Sequence, residues 1–147
     1  MSDKRLGVSR TVQSKLKEAR VARLSTLDSK CRPHIVPICF VYDGQFIYSA
    51  IDEKPKTVAP QRLARVRNIV ARPQVALLID EYDEDWTRLW FVLIRGRAEV
   101  MPMSARRERG RAVFKLREKY RQYAGTMLHD DATIIRIAPR RITSWGT

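Results

Sequence analysis

Cysteine, histidine and glycine are all scarce in this chain: two, two and six of 147 residues. Cys31 and Cys39 are too few for a disulfide framework or a cysteine-built zinc site. His34 and His129 give no nucleus for a metal cluster, so no metal site is expected. No glycine-rich loop joins a strand to a helix, which excludes the dinucleotide-binding and P-loop folds. Long apolar runs are absent too. A stretch such as Val75 to Ile79 falls far short of the ~20 residues needed to span a bilayer, so no membrane partner is expected. The first residues, Met1-Ser2-Asp3-Lys4-Arg5, lack the apolar core of a signal peptide. These absences predict a soluble cytoplasmic domain.

What the chain has is arginine. Twenty-nine basic against sixteen acidic residues leave a formal charge of +13, and arginines far outnumber lysines. Such a surface suits nucleic acid or a small polyanion such as a phosphorylated cofactor. The remaining mix, 44% hydrophobic and 31% charged, is that of a folded globular chain. The charge is uneven. Arg62, Arg65, Arg67 and Arg72 follow one another with no acid between. Asp80 to Asp85 holds five acids and no base. No linker or repeat divides the sequence, so residues 1–147 read as a single domain.

Periodicity predicts the elements. Ser9 caps a helix with Val12, Leu16 and Ala19 on one face. Strands follow over 21–27, over 34–42 and over 45–51, with Asp43-Gly44 as a tight hairpin turn. Pro60 opens a helix that Arg72-Pro73 ends; its apolar stripe is Leu63, Val66, Ile69 and Val70. Gln74–Ile79 is a short central strand. Trp86–Val100 is a long strand interrupted at Gly96, with Trp86 and Trp90 on one face. A basic helix runs from about 104 to 123, and two strand-like pieces, 133–137 and 141–145, flank Pro139. Meandering strands with helices between groups argue for an α+β fold on a small barrel.

Phosphate chemistry points to one segment. Tyr48 to Thr57 leaves the third strand and leads into a helix. Lys54 and Lys56 offer two ammonium groups, and Thr57 adds an aimed hydroxyl.

That segment, with Val21–Leu27, Arg32–Pro37, Arg67-Asn68-Ile69, Pro73–Asp80, Asp83–Trp86, Gly96-Arg97-Ala98 and Arg141–Trp145, resembles the pyridoxamine 5'-phosphate oxidase-like split β-barrel flavoproteins. More narrowly, it is similar to their small branch that uses the deazaflavin coenzyme F420. The resemblance implies a split barrel of about six or seven mainly antiparallel strands with flanking helices. It also implies a homodimer with the cofactor in a groove between protomers. By the same resemblance, Lys54 and Lys56 hold the cofactor phosphate, with Ser49, Ala50 and Thr57 nearby. Pro37 and Ile38 sit against the ring system, Arg67 and Asn68 border the tail or frame the loop, and Trp86, Arg88 and Trp90 reach across from the partner. No catalytic side chain is expected, because the ring is itself the redox centre. The activity implied is an oxidoreductase passing hydride between F420 and a small-molecule substrate. FMN is the alternative cofactor, and a basic nucleic-acid-binding module is the alternative of a different class.

Overall fold

The computed structural model describes residues 7–52 and 63–147. In chain order the elements are α1 (Arg10–Glu18), β1 (Ala22–Leu27), β2 (Pro33–Ile38), β3 (Val41–Tyr42), β4 (Ile47–Ala50), α2 (Ala64–Ala71), β5 (Gln74–Glu81), β6 (Trp90–Val100), α3 (Arg106–Lys119), α4 (Arg121–Ala124) and β7 (Ile134–Trp145). The strands form one seven-stranded antiparallel sheet in the order β2-β1-β5-β6-β7-β4-β3. The sheet curls into a half-barrel flanked by the helices, the expected α+β split barrel.

Local chemistry explains most boundaries. The Ser9 hydroxyl accepts from the Val12 N–H at 3.2 Å and starts α1, satisfying a helix donor that would otherwise lack a partner. The β3–β4 hairpin is looser than a two-residue turn. Asp43 Oδ1 accepts from the Gln45 and Phe46 N–H groups at 2.8 and 2.7 Å, and only Gly44 takes a left-handed φ, of 95°. The side chain thus closes the turn that the dipeptide alone was expected to close. Gln74–Ile79 lies inside the sheet as expected, extended to Glu81.

Several expected elements differ. The strand expected over 34–42 breaks at Cys39-Phe40 into β2 and β3, which stand at opposite edges of the sheet. Helix α2 starts at Ala64, and Pro60, expected to open it, lies outside the described residues. The long strand starts at Trp90. The Asp85 carboxylate accepts from the Thr87 N–H at 3.0 Å and winds Trp86–Arg88 into a 3₁₀ turn. Trp86 and Trp90 therefore share no strand face. The basic helix breaks at Tyr120, whose buried hydroxyl accepts from the Phe40 N–H at 3.0 Å and donates to the Arg20 carbonyl at 2.9 Å. The two C-terminal pieces are one strand, with Pro139 opposite Gly96 at a register shift in the β6–β7 ladder.

One apolar cluster fills the barrel interior, around Leu16, Leu24, Phe40, Leu77, Ile79, Val92 and Ile137. A second lies under α3 and α4, around Val113, Leu116, Leu128 and Ile134. Each fully buried Leu or Ile contributes about 1.5–3 kcal/mol. Val70, placed on the apolar stripe by its spacing, is exposed instead. Buried Asn68 takes a place on the inward face, which depends on a polar partner. No helix among the described residues is long and apolar enough to cross a membrane.

Candidate functional site

The expected cofactor loop runs from β4 to α2. Lys54, Lys56 and Thr57 lie outside the described residues, so the site is read from what borders them. Ser49 and Ala50 end β4 and are both buried. The Ser49 hydroxyl donates to the Cys39 carbonyl at 2.8 Å, which leaves its lone pairs as acceptors. On the far side of the loop, Asn68 Nδ2 donates to Thr26 Oγ1 at 2.9 Å, with both residues buried. This bond pins α2 to the end of β1. Neighbouring Arg67 is exposed.

Further polar groups gather at the loop's two ends. Tyr123 Oη, from α4, donates to Asp52 Oδ2 at 2.5 Å. Burial, then the Asp52 carboxylate, pushes the Tyr123 phenol well above its ordinary pKa. Arg65 precedes Asn68 by one helical turn. Burial lowers its pKa, partly offset by the charge of Asp52 and by Tyr123. Its Nε is buried without a hydrogen-bond partner among the described residues, and so is His34 Nδ1 on β2. His34 stands opposite Thr26 in the β1–β2 register. A buried, unpartnered guanidinium nitrogen is costly unless something accepts from it. A phosphate or carboxylate oxygen is the acceptor that best matches an arginine. The Arg65 Nε–H at the start of α2 therefore fits an anionic, phosphate-bearing group.

The other predicted residues fall elsewhere. Pro37 and Ile38 point to opposite faces, as consecutive strand residues must. Pro37 is on the outer face, opposite Arg23, whereas Ile38 is buried in the barrel core. Trp90 is only 7% exposed. Its indole N–H donates to Glu81 Oε2 at 3.0 Å, and the Lys15 ammonium lies 4.9 Å from its ring centroid. Trp86 is 71% exposed, and Arg88 reaches Asp83 and Asp85 only at 3.9 and 3.8 Å. Both sit at the β5–β6 turn beyond the Glu81–Trp90 pair, at the other end of the sheet from Thr26 and Asn68. Among the described residues no cluster of His, Cys, Asp and Glu could hold a metal ion.

Residues 8–146 match the pyridoxamine 5'-phosphate oxidase family. The chain belongs to that family. A curated relative, the 5a,11a-dehydrotetracycline/5a,11a-dehydrooxytetracycline reductase of Streptomyces rimosus, is 28% identical over 127 residues, 84% of this chain and 72% of the reductase. Among solved structures, an F420 reductase superposes with a TM-score of 0.66 at 21% identity, covering 92% of this chain and 98% of its own. An FAD-binding protein from Mesorhizobium loti superposes with a TM-score of 0.65 at 21% identity, covering 93% and 94%. These two likenesses establish the shared fold.

Sequence reasoning missed the Asp52–Tyr123 bond. Its partners are 71 residues apart, and neither carries a local signal. Arg65 stood out only as one member of an arginine run; its burial comes from the packing of α2 on the sheet.

Proposed function

We propose that this chain is a cytoplasmic oxidoreductase that binds F420, with FMN as the alternative, and passes hydride between that cofactor and a small-molecule substrate. The observation that carries this reading is the unpartnered Arg65 Nε at the edge of the phosphate loop. Family membership and the names of its relatives point the same way. When bound, the ring system supplies the redox chemistry. The residues of the chain hold and orient it. Lys54 and Lys56 neutralise the phosphate, Thr57 adds a hydrogen bond, and Arg65 contributes a second fork from α2. The Asn68–Thr26 bond fixes the angle at which α2 presents Arg65. Two protomers pair to close the groove, with Trp86 and Arg88 supplied from the partner.

Titration of the purified protein with each cofactor tests this. F420 carries a carboxylate-bearing tail beyond its phosphate, so it presents more negative charge to the arginines of α2. It is expected to bind more tightly than FMN, by a margin that narrows between ~50 and ~500 mM salt as screening shortens to a few ångströms. The double change Lys54→Ala and Lys56→Ala should cost about 2–4 kcal/mol of binding. Tighter binding of FMN at low salt would make it the cofactor. No binding of either, with salt-dependent binding of nucleic acid instead, would end the redox reading.

A further inference from the structure

A second groove, of about 310 Å³, lies at the other end of β4 from Ser49 and Ala50, between the β3–β4 hairpin and the β6–β7 ladder. Val8, Phe46 and Pro139 give it apolar walls, and Arg97, Arg136 and Arg140 line it as well. The ladder register steps from Arg95–Arg141 to Gly96–Pro139, so Arg140 is left without a partner strand residue. Such bulges re-aim a side chain. This one depends on glycine, because a Cβ on residue 96 would lie 2.5 Å from the Ala138 carbonyl oxygen.

The charges around the bulge are unbalanced. Arg95 and Arg141 stand directly opposite one another, an arrangement that is unfavourable for like charges. Among the described residues, Arg95, Arg97, Arg140 and Arg141 make no ion pair. The acid at hand, Glu99, is already engaged by Arg136, which also binds Glu108 at 2.7 Å and stacks over the Phe46 ring at 4.7 Å. Burial works against the Arg136 charge, but Glu108 and Glu99 outweigh it and hold its pKa up. Arg136 is thus neutralised in place, and Arg97 and Arg140 are the free forks at the groove mouth.

We propose that this groove binds a small organic dianion, a phosphate or dicarboxylate on an apolar body. Arg97 and Arg140 grip the oxyanion, and Phe46 and Pro139 cover the apolar part. The site shares no residue with Ser49, Ala50, Arg65 or Asn68 and does not depend on the function proposed above.

Calorimetric titration with phenyl phosphate, phthalate and neutral phenol, without flavin, tests it. At least one dianion should saturate the wild-type protein, and phenol should not. The pair Arg97→Gln and Arg140→Gln should weaken that binding about tenfold or more. The pair Arg106→Gln and Arg107→Gln, which removes the same charge from exposed positions on α3, should change it by less than about twofold. Because all four arginines are exposed, both variants should keep the wild-type melting temperature. Equal losses in the two variants would reduce the effect to the general field of a basic protein and overturn the proposal. So would phenol binding as tightly as the dianions, or no saturation by either dianion.

Discussion

Lys119 ends α3 with its ammonium 4.0 Å from the Phe40 ring centroid and 3.4 Å from the Leu16 carbonyl oxygen. Burial, then the nearby Arg20 charge, lowers its pKa to about 8, from 10.5 for the free side chain. The sign of the linkage follows from that order. Below pH ~8 both the folded and unfolded chains carry the charge, and the folded state bears the full cost. Between ~8 and ~10.5 the unfolded chain binds the extra proton, so stability rises with pH through this window. The ammonium is partly solvated, and the rise should come to about 1 kcal/mol after screening. Lys119→Met keeps the packing of the stem but removes the titration. Thermal unfolding across pH 7 to 10.5 should show a rise relative to this variant; parallel profiles would assign Lys119 no such cost.

At the scale of elements, the β6–β7 ladder carries the most demanding backbone position. Gly96→Ala would drive a Cβ to 2.5 Å from the Ala138 carbonyl oxygen. That contact is with backbone, so a strand must shift, at about 1–3 kcal/mol. Gly110, in the middle of α3, meets nothing within 4 Å. There alanine should stabilise by about 0.5–1 kcal/mol through helix propensity. Melting temperatures moving in opposite directions for the two variants would confirm the contrast, and a neutral Gly96→Ala would mean the bulge yields freely. The same contrast marks what pattern could reveal. Gly96 signalled an interruption, and apolar periodicity located α1, α2 and the interior strands. The break at Tyr120 could not be read, because the hydroxyl's partners are 80 and 100 residues away. Nor could the role of Arg109, which looked like one more base on a basic helix. It is 3% exposed and donates to the Ala132 carbonyl at 2.8 Å, tying α3 to the segment before β7. Arg117 does the same to Leu128 at 2.7 Å. A helix whose bases are partly spent on its own fold has fewer left for a phosphate backbone, which favours the cofactor reading over nucleic acid.

At the scale of the whole molecule, the described residues leave a broad surface of the sheet uncovered. Residues on the outer face of the sheet line up across five strands: Pro37, Arg23, Leu78, Leu93 and Thr143 in one row, and Asp80, Phe91 and Trp145 in the next, across three. Ile35 on β2 is 67% exposed, and Trp145 and Leu78 are exposed as well. The row is not purely apolar, since Arg23 binds Asp80 at 2.7 Å. That internal pair leaves these two rows without a net charge, which suits contact with an identical copy. The cofactor reading also calls for a second protomer, because Trp86 and Arg88 lie at the opposite end of their own sheet from Thr26 and Asn68. We therefore expect a two-fold dimer burying more than about 2,000 Å² in total through this face. Light scattering at micromolar concentration should report twice the monomer mass of 17.1 kDa. Leu78→Asp would place an unpaired carboxylate in the middle of the buried row, where its desolvation has no compensating partner. It should return the particle to monomer mass and weaken cofactor binding together, with the monomer still folded because Leu78 packs outward. A wild-type monomer would remove the composite groove. A Leu78→Asp variant that stays dimeric would move the interface to another face.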